Sequence, residues 1–574
     1  MTSWKIFLES WNKIYRQRWR FLIAVSLLHF FSAVAGTFLL SFLLQTFLAW
    51  LGYDNLNKDN FGDILMNPLA IGAALIYALV VAFFLLFEFS FLFQLVLASR
   101  RRVNFSLRRV VVGAFTEFRA VLNPQIFLLL IYFVAMIPLS NLGLSSFLLE
   151  KLYIPKFITE ELLKSSLGAT VYFGFLLAIF WVNFRLIFLL PLTIINKNSI
   201  LRNARWSWRL SRKYFTRLFG VGLFYVLLMV MILTIMAIFI SVVFGIVDPQ
   251  ISALETMLIF GFINEAVIFV LAIFSKVFFA EILLCFLLDE EKLPVESRLN
   301  YPKQTEIVRA RWILAASMVI LSGALTWNVW TFYSTKINRQ VEIIAHRGET
   351  SAAVENSLEA LENAKKSGAD AMETDVILTR DRKFVVIHDF SLNRLAGRPE
   401  RIQDLTLAEL EKIEISAGEF KSRLVSFEEF AARARKLNMK LFVELKLHGS
   451  EPQNYTDLFL AEWEKANLPS GSRVISLNLP ALEKIEHKKP EIRTGHIIPF
   501  QFGRLNLRTK VDFFVVEDFS FDKNLAKQAH HAGKKIYVWT INEEQIIANY
   551  LHSNADGIIT DNVQAAIELR TTGK

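Results

Sequence analysis

The chain has 574 residues, of which 54% are hydrophobic, and its mean hydropathy is +0.39. These values exclude an ordinary soluble protein of this length and predict membrane spans. Of the 63 Lys+Arg and 53 Asp+Glu, residues 336–574 hold 34 and 35, which leaves a net charge of +11 for residues 1–335. The basic excess therefore lies beside the apolar segments, which favours contact with anionic lipid and argues against nucleic-acid binding.

This uneven composition predicts two domains. Residues 1–335 are expected to form an all-α polytopic membrane domain, and residues 336–574 a globular domain. The only cysteine, Cys285, lies in an apolar run, so a disulfide within the chain is excluded. Residues 1–20 are basic and amphipathic, and the long apolar run after them lacks the small-residue cleavage site of a signal peptide. We expect this segment to lie at the membrane surface.

Seven segments are long and apolar enough to span a membrane, which takes about 20 residues in a helix. We therefore predict about seven spans. They are approximately residues 21–48, 69–98, 124–144, 169–193, 218–246, 257–287 and 312–333.

The short loops alternate between a basic and a nearly neutral set, and basic loops face the cytoplasm. Segments 1–20, 99–109, 196–217 and 288–311 contain five, five, seven and five Lys+Arg, whereas segments 49–68, 145–168 and 247–256 contain one, three and none. The N-terminus is therefore expected in the cytoplasm. With an odd number of spans, residues 336–574 lie outside the cell, and an even number would reverse this.

Two features of the membrane half carry charge. Residues 203–217 place Trp206 and Trp208 among basic side chains, which is typical of a helix lying in the membrane interface. Charged residues also fall within or near the spans, where they either reach the headgroups or mark a polar substrate path. These residues are Glu88, Arg185, Glu265, Lys276 and Glu281.

Residues 341–565 alternate short apolar runs with amphipathic stretches, which predicts an α/β TIM-type (β/α)8 barrel. The predicted strands are EIIAHRG, DAMETDV, LFVEL, RVISL, RTGHII, DFFVVE, KIYVWT and DGIIT. The run KFVVIHD follows the second strand after the turn TRDRK. That connection is too short for a parallel crossover, so KFVVIHD is predicted to form an antiparallel hairpin.

Polar residues concentrate where the predicted strands end, which is the functional face of such barrels. They are His346 and Arg347 after strand one, Glu373 and Asp375 on strand two, His388 and Asp389 after the hairpin, Glu444 and Lys446 on strand three, Trp539 on strand seven and Asp561 after strand eight. Glu373 and Asp375 are two residues apart on a strand, so both side chains face the same way. With Glu444 from the next strand, they suit a hard divalent cation, Ca²⁺ or Mg²⁺.

Two histidines are expected to flank this predicted metal site, His346 from strand one and His388 from the hairpin. Arg347 and Lys446 would supply positive charge beside them. Phosphodiester hydrolysis needs cations on the phosphoryl oxygens and two proton-transfer groups, one for the nucleophile and one for the leaving group. The set therefore favours that chemistry, without deciding which histidine is the acid.

The run from HRGE through ENS to GADAMETDVILTRDRKFVVIHDFSLNRLAG, followed by FVELK, VWTIN and DGIITDN, closely resembles the glycerophosphodiester phosphodiesterase family. The resemblance covers about residues 342–567. Residues 1–335 resemble the multi-span membrane domain that some bacterial members carry before the catalytic domain.

The resemblance implies a barrel of the phospholipase-C-like phosphodiesterase type that hydrolyses glycerophosphodiesters to glycerol 3-phosphate and an alcohol. By it, His346 and His388 are the catalytic acid/base pair, Arg347 and Lys446 bind the substrate phosphate, Glu373, Asp375 and Glu444 bind one divalent cation, and Glu355 and Trp539 support the site. The family usually has Pro-Glu-Asn-Thr where this chain has Val354-Glu355-Asn356-Ser357. Serine keeps the hydroxyl group, so activity is expected to survive. The short segment after His388 implies an open mouth that admits bulky or polymeric substrates.

Several alternatives stay open. An outward-facing site would accept deacylated phospholipids, lysolipids or glycerophosphate polymers such as teichoic acid. The membrane half could instead be a transporter or lipid-handling module with the barrel as an accessory. A substrate hydroxyl could replace water as nucleophile and release a cyclic phosphate. Membrane lipids are expected partners, nucleic acid is not, and the sequence does not predict the metal or the oligomeric state.

Overall fold

The structure is a computed structural model of the chain. It describes residues 2–100, 110–115, 125–136, 156–163, 165–196, 198–246, 253–293, 323 and 338–572. These residues form two compact units. The first consists of described residues from 1–44, 72–154 and 169–334, and the second of described residues from 45–71, 155–168 and 335–574.

Five helices in the described part of the chain are long and apolar enough to cross a membrane. They are Arg18–Trp50, Pro68–Arg100, Ser166–Ile195, Phe215–Phe239 and Ala266–Glu290. Each coincides with a predicted span. The predicted span 124–144 contains the helix Ile126–Met136. Its apolar part, Ile126–Ala135, is too short to cross a membrane alone. The predicted span 312–333 lies outside the described residues except for residue 323, so the count of seven is not confirmed.

The helices of residues 1–293 follow the apolar runs closely. In chain order they are Ser3–Arg16, Arg18–Phe31, the π-helix Ser32–Gly36, Thr37–Trp50, Lys58–Met66, Pro68–Arg100, Ile126–Met136, Lys156–Leu163, Ser166–Arg185, Leu189–Ile195, Ile200–Lys213, Phe215–Ile246, Ala253–Leu284 and the π-helix Cys285–Glu290. The first helix buries Ile6, Phe7 and Ile14 on one face, so part of the predicted surface segment packs in the helix bundle.

The basic segment with two tryptophans forms the helix Ile200–Lys213, which confirms that it is helical. We call it the interfacial helix after its predicted position in the membrane interface. The Ser199 side chain caps it by accepting from the Arg202 N–H. Asn203, Ser207 and Leu210 are buried on one face, and the arginines are exposed on the other. This division into a buried face and a basic face is that of an amphipathic helix.

Charged side chains inside the helix bundle pair with each other. Lys276 Nζ lies 3.3 Å from Glu88 Oε1 and 3.1 Å from His29 Nε2. Glu281 accepts from Arg100 Nε at 2.9 Å. Buried charges in an apolar environment are tolerated when they are paired in this way. The side chain of Glu265 lies outside the described residues.

The barrel has eight parallel strands in the predicted positions. In chain order they are β1 (Glu342–Ala345), β2 (Ala371–Leu378), β3 (Lys440–Leu445), β4 (Arg473–Ser476), β5 (Thr494–Ile498), β6 (Phe513–Glu517), β7 (Lys535–Trp539) and β8 (Gly557–Thr560). Each strand pairs with the next, and β1 pairs with both β8 and β2, which closes the sheet. Closure leaves no exposed edge among these strands.

Helices cover the outside of the barrel. They are Leu358–Lys366, Phe427–Lys436, Tyr455–Ala466, Leu479–Lys488, Lys523–His531, Glu544–Leu551 and Val563–Thr572, with the short helices Asn393–Ala396 and Leu407–Leu410 between β2 and β3. Side chains such as Phe442, Ile475 and Tyr537 fill the barrel interior. The strands Glu414–Ala417 and Phe420–Arg423 form a separate hairpin.

The predicted hairpin after β2 is confirmed. Phe384–Val386 pairs antiparallel with β2, and Val376 lies opposite Val386. The Ile387 N–H donates to the Asp375 carbonyl at 3.1 Å, which brings His388, the next residue, to the end of the barrel where β2 carries its carboxylates. On the other side of β2, Asp375 lies opposite Glu444 of β3.

One connection of the barrel lacks a helix. Between β5 and β6 the chain forms only the short strand Gln501–Gly503. This strand pairs antiparallel with Asn55–Asn57, a strand that belongs to the same compact unit. We call residues 54–66, which include that strand and the helix Lys58–Met66, the strap. The sequence analysis does not predict this pairing, because the partners lie far apart in the chain.

The strap makes polar and aromatic contacts with the barrel. Asn55 Nδ2 donates to the Arg504 carbonyl at 3.0 Å, and Asp59 Oδ2 lies 3.4 Å from His496 Nε2 of β5. The rings of Phe61 and Phe500 meet edge to face. The strap therefore covers the barrel where the β5–β6 connection supplies no helix.

Candidate active site

The turn after β1 shapes one wall of the candidate site. His346 and Arg347 follow the strand directly, and Arg347 adopts a left-handed conformation with φ of 56°. Gly348 has a φ of 98°, and a Cβ atom there would lie 2.6 Å from Ala360 Cβ. Only glycine fits this close approach of turn and helix, so the sequence His-Arg-Gly dictates the turn. The turn aims the Arg347 N–H at Glu373 Oε2, 2.9 Å away.

His346 is held from β8. Its Nδ1 lies 2.8 Å from Asp561 Oδ1, and Asp561 Oδ2 accepts from Asn542 Nδ2 at 2.7 Å. Burial lowers the pKa of His346, but the charge and hydrogen bond of Asp561, together with the charge of Glu373, leave the pKa raised above its ordinary value. With Nδ1 engaged, Nε2 is the nitrogen left for proton transfer.

Three buried carboxylates converge beside this turn. Single oxygens of Glu373, Asp375 and Glu444 all lie within 4.8 Å of one another. Burial and the neighbouring carboxylates raise the pKa of Glu444 to about 8, although Lys446 opposes the rise. Burial also raises the pKa of Glu373, and the charge of Asp375 adds to it. Like charges this close are costly unless a cation or a proton separates them.

The carboxylates fit a divalent cation. Asp375 Oδ1 is buried and has no hydrogen-bond donor among the described residues. Its nearest positive group is Lys446 Nζ, 3.6 Å away. Three carboxylate oxygens are the ligand set that Ca²⁺ and Mg²⁺ prefer. Glu373, Asp375 and Glu444 are therefore the residues that could hold the ion.

His388 is held by its neighbour in the chain. Its Nδ1 lies 2.8 Å from Asp389 Oδ1, and Asp389 also accepts from Arg394 Nε at 2.8 Å. Burial lowers the pKa of His388, the Lys446 charge lowers it further, and Asp375 only partly opposes them. The pKa values of the two histidines thus move in opposite directions, which suits a pair in which one group donates a proton and the other accepts one.

Arg394 and Glu355 connect the turn after β1 with the segment that follows His388. Arg394 Nη1 and Nη2 each donate to Glu355 at 2.7 Å, and Glu355 Oε1 also accepts from Arg347 Nη1 at 3.1 Å. A chain of ion pairs therefore runs from Arg347 to Asp389. Such a network fixes side-chain positions in a low-dielectric site. Glu355, which the resemblance implies to be a supporting residue, lies at its centre.

Asn356 orients a candidate metal ligand. It adopts a φ of 57°, its Nδ2 donates to Asp375 Oδ2 at 2.8 Å, and its Oδ1 accepts from the Asp375 N–H at 3.1 Å. The next residue, Ser357, caps the helix Leu358–Lys366 by accepting from the Ala360 N–H. The departure from threonine to serine therefore preserves a hydroxyl that accepts at a helix N-terminus.

The structure brings all the predicted site residues to one end of the barrel. Lys446 Nζ lies 3.3 Å from Glu444 Oε1, and Trp539 packs at the end of β7 against the interior cluster. Sequence reasoning missed the roles of Asn356, Arg394 and Asn542. Asn356 and Asn542 stand inside the quoted ENS and VWTIN motifs, which was a usable signal. Arg394 also stands inside the motif that follows His388, but its helix, Asn393–Ala396, is too short for a periodicity to indicate where the side chain lies.

This geometry defines a TIM-barrel enzyme site with a carboxylate cluster and two aspartate-held histidines. Comparison with known proteins agrees with that class. Residues 7–326 match the membrane domain of glycerophosphoryl diester phosphodiesterase, and residues 346–565 match the glycerophosphoryl diester phosphodiesterase family. The chain belongs to this family, and it is a membrane-bound glycerophosphodiester phosphodiesterase.

Individual relatives match about two fifths of this chain. A glycerophosphodiester phosphodiesterase from Bacillus altitudinis is 28% identical over 257 residues, which cover 40% of this chain and 98% of the relative. One from Caldanaerobacter subterraneus is 25% identical over 243 residues, with the same coverage. The solved structure of an Oleispira antarctica phosphodiesterase in complex with the product sn-glycerol-3-phosphate is 23% identical, covers 42% of this chain and 99% of that one, and has a TM-score of 0.36.

Proposed function

We propose that the enzyme hydrolyses glycerophosphodiesters at the outer face of the membrane and requires a divalent cation. The products are glycerol 3-phosphate and an alcohol. One observation carries the proposal: Glu373, Asp375 and Glu444 converge between two histidines, each held at Nδ1 by an aspartate. Glycerophospholipid breakdown products, lysolipids and teichoic acids are the substrate classes that such a location offers.

Glu373, Asp375 and Glu444 would hold the cation. A bound Ca²⁺ or Mg²⁺ would polarise a phosphoryl oxygen and neutralise charge on it. Arg347 and Lys446 lie beside the carboxylates and bind the remaining phosphate oxygens, because guanidinium and ammonium groups complement phosphate.

His346 and His388 move the protons. Each keeps its Nδ1 on an aspartate, so Nε2 exchanges a proton with the nucleophile on one side and with the leaving alcohol oxygen on the other. Glu355 and Arg394 hold Arg347 and Asp389 at a fixed separation. Either water or a substrate hydroxyl can be the nucleophile in this arrangement.

We take residues 1–335 as the membrane domain and residues 336–574 as the catalytic domain. Two observations support an N-terminus in the cytoplasm and a catalytic domain outside the cell. The first is the charge of the loops, which is lowest in segments 49–68, 145–168 and 247–256. The second is the strap, because residues 54–66 belong to the first of these loops and pair with the barrel. A loop and the domain that it contacts lie on the same side of the membrane.

The test is glycerol 3-phosphate release from glycerophosphocholine by the full-length protein in detergent, with Ca²⁺, Mg²⁺ or EDTA. We expect activity with one of the cations, loss in EDTA, and loss of at least about 100-fold in Glu373→Gln and His388→Ala, in line with losses of a metal ligand or a general acid/base. Glu414→Gln is the matched control, because this exposed carboxylate lies in the separate hairpin.

Activity that persists in EDTA, or in Glu373→Gln, contradicts the metal requirement. If the His388→Ala variant is as active as the wild type, the proposed acid/base pair is contradicted. Phosphorus NMR of the products separates water from a substrate hydroxyl as nucleophile, because only the latter releases a cyclic phosphate.

A further inference from the structure

Arg185 is a buried cation that the other charges of the helix bundle do not neutralise. It ends the helix Ser166–Arg185 and is only 4% exposed. Its Nη2 donates to the Trp208 carbonyl, and its Nε has no hydrogen-bond partner among the described residues. No carboxylate of the described chain lies within ion-pair distance of it, in contrast to Lys276 and Arg100.

Two tryptophans form the walls around this guanidinium. The Arg185 Cζ lies 4.7 Å from the ring centroid of Trp208 and 5.6 Å from that of Trp181. Both rings are also exposed, Trp181 by 48% and Trp208 by 43%. Leu177 and Phe180 are exposed on the same helix. The guanidinium therefore lies beside exposed apolar side chains of a helix that is long and apolar enough to cross a membrane, where lipid covers such side chains in the cell.

The surroundings of Arg185 are basic. Arg212 follows Ser211, whose Oγ donates to the Arg185 carbonyl, and it lies one helical turn after Trp208. The interfacial helix contains Arg202, Arg205, Arg209, Arg212 and Lys213 and no acidic residue. Two like charges close together beside an apolar surface are stabilised by an anion that both can bind.

The backbone of Arg185 is also fixed. The carbonyl of Arg185 accepts from Ser207 Oγ at 3.0 Å and from Ser211 Oγ at 3.1 Å, and Ser207 Oγ accepts from the Phe188 N–H. These bonds join the interfacial helix to the break between Ser166–Arg185 and Leu189–Ile195. The cation therefore has a defined position before any ligand arrives, which lowers the entropic cost of binding.

We propose that Arg185 and Arg212, with Trp181 and Trp208 as walls, bind the phosphate group of an anionic phospholipid. Guanidinium groups bind phosphate oxygens in pairs, and tryptophans are found at the depth of the lipid headgroups. Inorganic phosphate shares the headgroup chemistry, but the exposed aromatic walls favour a ligand with an acyl chain. This site is separate from the catalytic barrel and goes beyond the proposed hydrolysis.

The test measures the thermal unfolding midpoint of the full-length protein in detergent. The protein is titrated with phosphatidylglycerol, phosphatidylcholine or inorganic phosphate. A ligand that binds only the folded protein raises the midpoint according to its affinity. We expect phosphatidylglycerol to raise it, and the other two to raise it far less.

Three variants locate the effect. Arg185→Gln and Arg212→Gln should each weaken the apparent affinity for phosphatidylglycerol by roughly fivefold or more, as expected for one basic residue beside an anionic lipid. Arg202→Gln is the matched control: it removes the same charge from the same helix, ten residues and about 15 Å from Arg212. Arg202→Gln should weaken the affinity less than either of the other two.

Each other outcome overturns the proposal. Equal losses in Arg202→Gln and Arg212→Gln mean general attraction to a basic helix. Equal stabilisation by inorganic phosphate means a soluble anion, and no preference for phosphatidylglycerol over phosphatidylcholine means no anion site. Arg212 is exposed, so Arg212→Gln decides the matter even when Arg185→Gln does not fold.

Discussion

At the scale of single residues, the candidate site depends on how each ionisable group is held. His346 and His388 have the same side chain, yet their pKa values move in opposite directions. Asp561 and Glu373 together reverse the effect of burial at His346, whereas burial and the Lys446 charge prevail at His388. The environment, and not the residue type, therefore sets the direction of each pKa shift, as the proposed division of proton transfer requires.

The Asp561→Asn variant should show this directly. The carboxylate of Asp561 raises the pKa of His346, so its removal lowers that pKa. The limb of the pH–rate profile that His346 governs should move to lower pH. If the alkaline limb moves, His346 acts as the proton donor, because a donor must be protonated. If the acidic limb moves, His346 acts as the proton acceptor. The measurement is glycerol 3-phosphate release between pH 5 and pH 10.

Asp556→Asn is the control for this variant. Asp556 also lies 2.8 Å from a histidine, His530, but Asp556 precedes β8 whereas Asp561 follows it, so the two aspartates lie at opposite ends of that strand. Neither limb should move in this control. A profile of Asp561→Asn that matches the wild type in both limbs would refute a dependence of the catalytic proton on Asp561.

The Asn356→Gly variant tests the support of a candidate metal ligand. Glycine keeps the left-handed backbone but loses the amide that fixes Asp375. Removing such a support typically weakens metal affinity 10- to 100-fold. We therefore expect the cation concentration for half-maximal activity to rise by about that factor.

Asn438→Gly is the matched control for Asn356→Gly, because Asn438 has a φ of 47° and follows the helix Phe427–Lys436. Its cation requirement should equal that of the wild type. An unchanged cation requirement in Asn356→Gly would show that Asp375 keeps its position without the amide.

At the scale of elements, the turn between β1 and the first barrel helix sets the distance between the strand and the helix. Gly348→Ala places a methyl group 2.6 Å from Ala360 Cβ and 2.9 Å from Met372 Cε, at a φ that alanine rarely adopts. We expect this variant to lower the free energy of unfolding by roughly 2–4 kcal/mol, which combines backbone strain with overpacking. The thermal unfolding midpoint of the full-length protein reports the change.

Gly397→Ala separates the two causes. Gly397 also has a positive φ, of 65°, but nothing lies within 4 Å of a Cβ atom there. This variant should lose only about 1 kcal/mol, from the backbone alone. Equal losses in the two variants would mean that the contact with Ala360 adds nothing.

The sequence predicts the strands of the barrel better than it predicts contacts between residues that are far apart in the chain. The eight strands and the hairpin could be predicted because each is a short local pattern, and the spacing of Glu373 and Asp375 fixes their common direction. Pairings between distant residues, such as Asp561 with His346 and the strap with Gln501–Gly503, leave no periodic signal. His346 and Asp561 lie in separate motifs, and they meet only when β8 pairs with β1 and closes the barrel.

At the scale of the whole molecule, the orientation is a prediction with a direct test. Lys527→Cys places a thiol on an exposed barrel helix, and Arg209→Cys places one on the interfacial helix. The natural Cys285 is buried and gives little background. A maleimide that cannot cross membranes should label Lys527→Cys in intact cells and label Arg209→Cys only after permeabilisation. The reverse pattern would place the barrel in the cytoplasm and imply an even number of spans.

The strap has a consequence for the order in which the protein folds during synthesis. Asn55 and Arg504, which it joins, are 449 residues apart, so the strap is made long before its partner strand exists. Local βα units close quickly, whereas a contact at this separation forms late because a long loop must close. The backbone of Gln501–Gly503 therefore stays open to other chains until the strap docks. The nascent barrel is most prone to wrong pairing in that interval.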